Sequence, residues 1–113
     1  MANTFVNKKK DLTSTSATTL YTVPSSTTTI ILGLMLCNVD TSQRLVDVHI
    51  ESDTSDTETN SNVHAIKDAP IPAGSTLEVM AGNKVVLQAT DVLKIDCDVA
   101  AKIDATLSIM EIT

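Results

Sequence analysis

The residues of this chain that could do chemistry do not form a catalytic pattern. A serine hydrolase holds its nucleophile on a strained turn, often within Gly-x-Ser-x-Gly, beside an oxyanion hole. The only glycines are Gly33, Gly74 and Gly82, and none belongs to that motif or to a glycine-rich phosphate loop. His49-Ile50-Glu51 matches the His-x-Glu of zinc deaminases, but the Pro-Cys-x-x-Cys that completes that site is missing. We therefore expect no enzymatic activity, no catalytic residue and no cofactor.

Two groups of side chains invite a metal-site interpretation. Asp47, His49 and Glu51 lie on one face of a predicted strand, although the alternation of a half-exposed strand produces the same polar face without a metal. The acidic run from Glu51 to Ser61 lacks the regular spacing and the glycine of a calcium loop, and His64 beside it has no identifiable second ligand. We predict a solvated loop and no metal site, and whether residues 51–61 hold an ion weakly stays open.

Charge restricts the classes of partner. The formal net charge of −6 repels phosphate backbones, so we expect no binding to nucleic acid. Lys8-Lys9-Lys10 is the exception: it is either a contact for an acidic patch or a nucleic acid, or a solubilising tail. The longest apolar stretch, Ile30–Cys37, is too short to span a bilayer as a helix, and the first ten residues do not resemble a secretory signal. We expect no membrane association and synthesis in a cytoplasm.

The two cysteines, Cys37 and Cys97, lie far apart in the sequence and have no Cys-x-x-Cys spacing. Cys97 continues an inward alternation with Leu93 and Ile95, which favours buried free thiols that act as small hydrophobic residues. A disulfide between them requires neighbouring strands and an oxidising compartment.

The elements that must position these residues are strands. Thr, Val and Ile dominate, Tyr21 and Phe5 are the only aromatic residues, and no segment shows a sustained helical period. The sequence predicts about eight strands at the spacing of a sandwich or jelly roll. The fold class we expect is therefore an all-β, antiparallel β-sandwich, jelly-roll-like, with an extended N-terminal arm at residues 1–12 and the sandwich domain at residues 13–113.

Several predicted elements have boundaries or faces that a structure can check. Residues 27–39 form a central strand with two apolar faces, which calls for a cover from outside the sheet. We place the side chains of that strand in two sets, with Leu32, Leu34 and Leu36 on one face and Ile31, Gly33, Met35 and Cys37 on the other. Residues 76–80 and 84–87 flank a predicted hairpin turn, and residues 68–74 form a rigid crossing segment because of Pro70 and Pro72. Met110 and Ile112 break the alternation of the last strand, which indicates a bulge or a contact outside the domain.

The run LTSTSATTLYTVPSSTTTIILGLMLCNVD, residues 12–40, resembles the opening of short virion-associated structural proteins of tailed bacteriophages. IPAGSTLEVM and KVVLQATDVLKIDCD are similar to their second half, although Thr90-Asp91 stands where those proteins tend to have Gly-Asp. The resemblance covers most of the chain after Thr13, and its motifs are structural turns.

This resemblance implies a protein of the virion, made in the host cytoplasm. We expect a capsid decoration (cement) protein that binds the outside of the head shell, as a homo-trimer or other homo-oligomer, with the major capsid protein or another virion protein as its partner. The alternatives are a neck, tail or fibre component, and a small β-module that binds a ligand or an ion. The residues we assign to interfaces are Phe5, Val6, Lys8, Lys9, Lys10, Leu12, Met35, Met110 and Ile112.

Overall fold

A computed structural model of the chain describes residues 2–12, 15–52, 61–80 and 83–113. These residues form nine strands: β1 Asn3–Asp11, β2 Thr18–Thr22, β3 Thr28–Asn38, β4 Arg44–Glu51, β5 Val63–Ile71, β6 Thr76–Glu78, β7 Val85–Leu87, β8 Val92–Cys97 and β9 Ile103–Ile112. Within the described ranges there is no helix that is long and apolar enough to cross a membrane.

The strands form two antiparallel sheets. Sheet A has the order β1-β9-β3-β6, with β7 also paired to β3, and sheet B has the order β2-β8-β4-β5. Consecutive strands from β1 to β4 alternate between the two sheets, so each sheet is assembled from strands that are distant in sequence. This arrangement confirms the predicted all-β, antiparallel sandwich and is the connectivity of a jelly roll.

The core lies between the sheets and is almost entirely aliphatic. Each strand contributes alternate side chains, because successive residues of a strand point to opposite faces. The largest side chains that are fully buried come from both sheets and from the connections between them: Leu12, Val23, Ile31, Leu34, Leu36, Ile71, Leu87, Leu93, Ile95, Ile103, Leu107 and Ile109. Tyr21 is the one aromatic residue of this core, since Phe5 is exposed on β1.

A bulge in β3 corrects the predicted faces of that strand. Ile31 lies opposite Ile109 of β9 and Gly33 lies opposite Ser108, so Leu32 is an extra residue between them. The bulge shifts the alternation: Ile31 is buried together with Leu34 and Leu36, whereas Gly33, Met35 and Cys37 face outward. The prediction that grouped Ile31 with Met35 and Leu32 with Leu34 was therefore wrong.

Two connections also differ from the prediction. β6 and β7 do not pair with each other as a hairpin: they pair with successive parts of β3, Met35–Cys37 and Thr29–Ile31, and together act as one interrupted edge strand. The crossing segment predicted at residues 68–74 is strand up to Ile71, since Pro70 lies on β5, an edge strand. The turn after β5 is closed by a hydrogen bond of 3.1 Å from the Ser75 N–H to the Pro72 carbonyl. It requires a glycine at position 74, because Gly74 has a φ of 69°.

The N-terminal segment takes a place in the sandwich. β1 pairs with β9 along its whole length, from Asn3 opposite Ile112 to Asp11 opposite Asp104. The register of this pair has no shift, so the irregularity predicted near Met110 lies instead on the β3 side of β9. Residues 3–11 are therefore the edge strand of sheet A, and a role of this segment as an arm in an assembly stays a prediction.

Candidate interaction surface

The outer face of sheet A carries a continuous row of apolar side chains across four strand positions. Phe5 of β1 lies opposite Met110 of β9, Met110 lies opposite Ile30 of β3, and Ile30 lies opposite Val86 of β7. Each of them has a chain neighbour that is buried in the core or packed against it, namely Val6, Ile109, Ile31 and Leu87, so these four side chains point outward. We call this row, Phe5, Met110, Ile30 and Val86, the apolar band.

The two ends of the apolar band are strongly exposed. The relative accessible surface is 73% for Phe5 and 59% for Val86, and Met110 and Ile30 between them are half-buried. A phenylalanine at this exposure, in a chain with one other aromatic residue, is the kind of side chain that protein interfaces enrich. The apolar band is therefore a candidate contact surface, because contiguous exposed apolar patches are often binding sites.

A second row crosses the same face four residues further along β1 and four residues back along β9. It consists of Lys9, Thr106, Met35 and Glu78, which lie opposite one another in that order from β1 to β6. Opposite charges therefore stand at the two edges of the face, with the half-exposed Met35 between them. We call this the Lys9–Glu78 row.

The positions between these two rows are small and polar. Gly33 of β3 lies opposite Ser108 of β9, and the Ser108 hydroxyl donates to the Asn7 side-chain carbonyl of β1 at 3.0 Å. A Cβ added at Gly33 would meet only the Glu78 carboxylate, at 3.9 Å, which is ordinary contact distance. The outer face of sheet A therefore has small side chains along its centre and larger side chains in the two flanking rows.

The structure brings together some of the predicted interface residues. Phe5, Met35, Met110 and Ile112 share the outer face of sheet A, with Ile112 opposite Asn3 beside the apolar band. Phe5, Met110 and Ile112 are neighbours there, whereas Met35 belongs to the Lys9–Glu78 row, and the assignment of all four to an interface stays a prediction.

Other predicted interface residues lie elsewhere. Leu12 is fully buried in the core of its own chain, where its N–H donates to the Ile103 carbonyl, so it is not part of the outer face. Val6 packs against that core. Lys8 and Lys10 lie opposite the inward-facing Leu107 and Ala105, so they project from the opposite side of β1 to Lys9.

Ile30, Val86 and Glu78 belong to the same face and were not predicted. Ile30 precedes the bulge, and its face can be assigned only when the bulge is known. Val86 and Glu78 join the face because β6 and β7 pair with β3, which no local sequence signal shows. In the sequence, the one indication of an apolar outer face here was that residues 27–39 have apolar side chains on both faces of the strand.

The outer face of sheet B carries several charged side chains, and some of them form ion pairs. As predicted, Asp47, His49 and Glu51 share the outward side of β4. The Lys94 ammonium lies 2.9 Å from the Glu51 carboxylate and lowers its pKa, and His49 Nε2 lies 3.7 Å from the same carboxylate. Among the described residues no group of three or more potential ligands could hold a metal ion.

Two carboxylates meet on this polar face. Asp47 of β4 and Asp96 of β8 lie directly opposite each other in the register. Burial, and then the negative charge of Asp47, raise the pKa of Asp96. Burial also raises the pKa of Asp47, but hydrogen bonds from the Asp68 N–H and from Asp96 outweigh it and lower that pKa. The pair therefore carries an internal repulsion that the Lys67 ammonium, 3.7 Å from Asp47, offsets only in part.

The remaining predicted candidates have these positions. The His49 and His64 rings lie on paired strands with centroids 5.4 Å apart. Residues 53–60 of the acidic loop lie outside the described residues, so its predicted solvation is untested. Beside the ends of that loop is a groove of about 450 Å³, whose lining includes Ile50, Val63 and Asp91.

The two cysteines are both free. Cys37 belongs to sheet A and Cys97 to sheet B, so their strands are not neighbours in a sheet.

Comparison with known proteins identifies the fold. No family model and no curated protein matches this chain. A chain of the T13 IBDV viral particle, described as a missing link in the evolution of icosahedral viruses, superposes with a TM-score of 0.57 at 10% identity. The match covers 96% of this chain and 30% of that one, so our chain spans less than a third of its length.

A second solved structure has a similar fold. It belongs to the Bacillus endospore appendages, described as a novel family of disulfide-linked pili, and superposes with a TM-score of 0.50 at 12% identity. That match covers 97% of this chain and 84% of the other. At such identities both likenesses show a shared all-β fold.

Proposed function

We propose that this chain is a non-enzymatic structural subunit of a repeated protein assembly, and specifically a decoration protein on the outside of a tailed-phage head. The observation that carries the proposal is the apolar band. Its four side chains span sheet A, and Phe5 and Val86 are more than half exposed. A subunit of an assembly gains hydrophobic free energy by covering such a row, whereas an isolated protein gains nothing from exposing it.

Three further observations support this proposal. The sequence resembles virion-associated proteins of tailed phages, and the two similar folds come from a viral particle and from pili, which are both repeated assemblies. The charges on the outer face of sheet B are largely paired within the chain, whereas the outer face of sheet A carries four apolar side chains in one continuous row. The partners under this proposal are other copies of the chain and the major capsid protein or another virion protein.

The test is the protein composition of purified virus particles. Particles from the source of this sequence would be separated into heads and tails, and peptides of this chain would be quantified by mass spectrometry against those of the major capsid protein. We expect the chain in the head fraction, in many copies per particle. Its absence from both fractions would refute a role in the virion.

The same measurement separates the alternatives. A neck, tail or fibre component would need the same apolar surface but would appear in the tail fraction. A small ion-binding module would be absent from particles and would show a rise in melting temperature on titration with calcium, because a ligand that binds the folded state stabilises it.

A further inference from the structure

The charged and apolar side chains on the outer face of sheet A are arranged so that the face is complementary to a second copy of itself. The face is four strand positions wide, in the order β1, β9, β3 and then β6 or β7. Its midline therefore runs between β9 and β3. Reflection of each row across that midline exchanges Lys9 with Glu78, and it exchanges Phe5 with Val86.

We propose that this face is the contact between two copies of the chain, which pack sheet A against sheet A about a twofold axis that runs parallel to the strands between β9 and β3. This operation places Phe5 of each copy over Val86 of the other, and Met110 over Ile30. It also places Lys9 over Glu78 twice, because every contact of a twofold interface occurs in two copies. The inference rests on the proposed function as a structural subunit and names the partner of the apolar band.

The other in-plane twofold axis, perpendicular to the strands, gives a poorer match. An axis through the central Ser108 and Gly33 positions would exchange the apolar band with the Lys9–Glu78 row. Phe5 would then cover Lys9, and Val86 would cover Glu78, so two charges of each copy would be desolvated against apolar side chains without an opposite charge. The register of the strands thus favours the axis parallel to them.

Pairing of two copies edge to edge through β1 is also disfavoured. β1 is a nine-residue edge strand, and such an edge is a template for adding another strand. Lys8, Lys9 and Lys10 stand in succession on it, and charged side chains, lysine above all, are the usual means of blocking strand addition. The lysine triplet therefore directs a second copy to the face rather than to the edge.

The test is the molar mass of the purified full chain, measured by sedimentation velocity over a range of concentrations. We expect a monomer–dimer equilibrium for the wild type. Phe5→Asp and Val86→Asp should each shift the chain to monomer, because each places a carboxylate in the apolar band. Leu45→Asp is the control, since Leu45 is an exposed aliphatic residue, at 38%, on β4 of the other sheet and away from the apolar band. Melting temperatures of all variants would verify that the monomers are folded.

Charge reversal tests the axis itself with substitutions at the surface. Lys9→Glu or Glu78→Lys alone should raise the dimer dissociation constant by about tenfold, since each creates two like-charge pairs. The double variant K9E/E78K should return the constant to within about twofold of the wild type, because it restores opposite charges at the same two places. Lys8→Glu, the same charge change on the other side of β1, should leave the constant unchanged.

Each outcome decides the inference. Loss of the dimer in the two band variants, with rescue in K9E/E78K, supports it. A wild-type monomer at every concentration would overturn it, as would a dimer that persists in Phe5→Asp or a double variant that is no better than the singles. These results leave the proposed function to its own test, because the composition of the particle is measured independently of the free protein.

Discussion

The Tyr21 hydroxyl on β2 donates a hydrogen bond to the Glu111 carboxylate on β9, and so joins the two sheets. The Thr29 hydroxyl on β3 lies 2.8 Å from the same phenol oxygen, and it is the donor there because the single phenol proton goes to Glu111. Tyr21 reaches this position through a bulge that shifts the register between Thr19 and Tyr21 and turns both Leu20 and Tyr21 inward. The network satisfies polar groups that the aliphatic core cannot.

Removal of the Tyr21 hydroxyl should destabilise the sandwich. Tyr21→Phe leaves Thr29 and Glu111 without their shared partner, and we expect a loss of about 1–2 kcal/mol in the free energy of unfolding. Denaturant titration of the variant beside Thr22→Val, a change at the exposed neighbour, would measure it. Equal stability of Tyr21→Phe and the wild type would show that the bridge contributes nothing.

The same network predicts a loss of stability in alkali. Burial, together with the hydrogen bond to Glu111, raises the pKa of Tyr21 from 10.0 to about 12. The unfolded chain therefore releases this proton at a lower pH than the folded chain, so the free energy of unfolding falls as the pH rises from 10 to 12. Tyr21→Phe should lack this component. An ultraviolet titration in which the tyrosinate of the folded chain appeared near pH 10 would contradict the prediction.

The parts of the fold that follow from strict alternation could be predicted from the sequence. The inward Leu93, Ile95 and Cys97 of β8 are an example, because the two faces of that strand differ in chemistry. The bulge at Leu32 could not be predicted, since it depends on how β9 pairs with β3. The candidate surface was only partly predictable for the same reason: Phe5 stands out as an aromatic residue in a polar segment, but Val86 reaches it through pairing with a strand more than fifty residues away.

The carboxylate pair on sheet B predicts a stabilising substitution. Asp96→Asn removes the repulsion with Asp47 and should raise the free energy of unfolding at neutral pH by about 0.2–1 kcal/mol. The pKa of Asp96 is raised in the folded state above its ordinary value of 3.8. The ionised Asp96 therefore destabilises the fold fully above the raised pKa, and this destabilisation disappears as the pH falls below 3.8. Thermal unfolding should therefore show a gain for Asp96→Asn that shrinks towards acid.

Asp98→Asn is the matched control for this prediction. Asp98 lies two residues further along, accepts a hydrogen bond from the Leu45 N–H at 3.3 Å, and lies 3.7 Å from Arg44. The same change there removes an attraction instead of a repulsion, and it should give no gain. A similar gain in both variants would indicate a general effect of lowering the negative charge.

Asn38 should be intolerant of substitution. It is fully buried at the end of β3, and its amide donates to the carbonyls of Ser42 and Ile71, each at 2.9 Å. Its side-chain oxygen accepts the Asp40 N–H at 2.9 Å. Asn38→Ala leaves these buried groups without partners and should cost about 2–3 kcal/mol, measured by denaturant titration. Asn3→Ala, at an exposed asparagine of β1, should change stability little, and an equal loss in both variants would contradict this role.

The two thiols should differ in reactivity, because Cys37 lies on the outer face of sheet A and Cys97 lies on the inner face of sheet B. Cys37 faces outward on β3 opposite Asp104, whereas Cys97 is buried between the sheets, where burial raises its pKa. A maleimide needs an accessible thiolate, so under native conditions it should label Cys37 faster than Cys97 by at least about tenfold. The native chain should thus take up one label quickly, and the denatured chain should take up two. Cys37→Ser should abolish the fast label. Labelling of neither residue in the native chain, and of both only after reduction, would contradict this prediction and reveal a disulfide. The structure gives two free thiols, with Cys37 facing away from the core that contains Cys97.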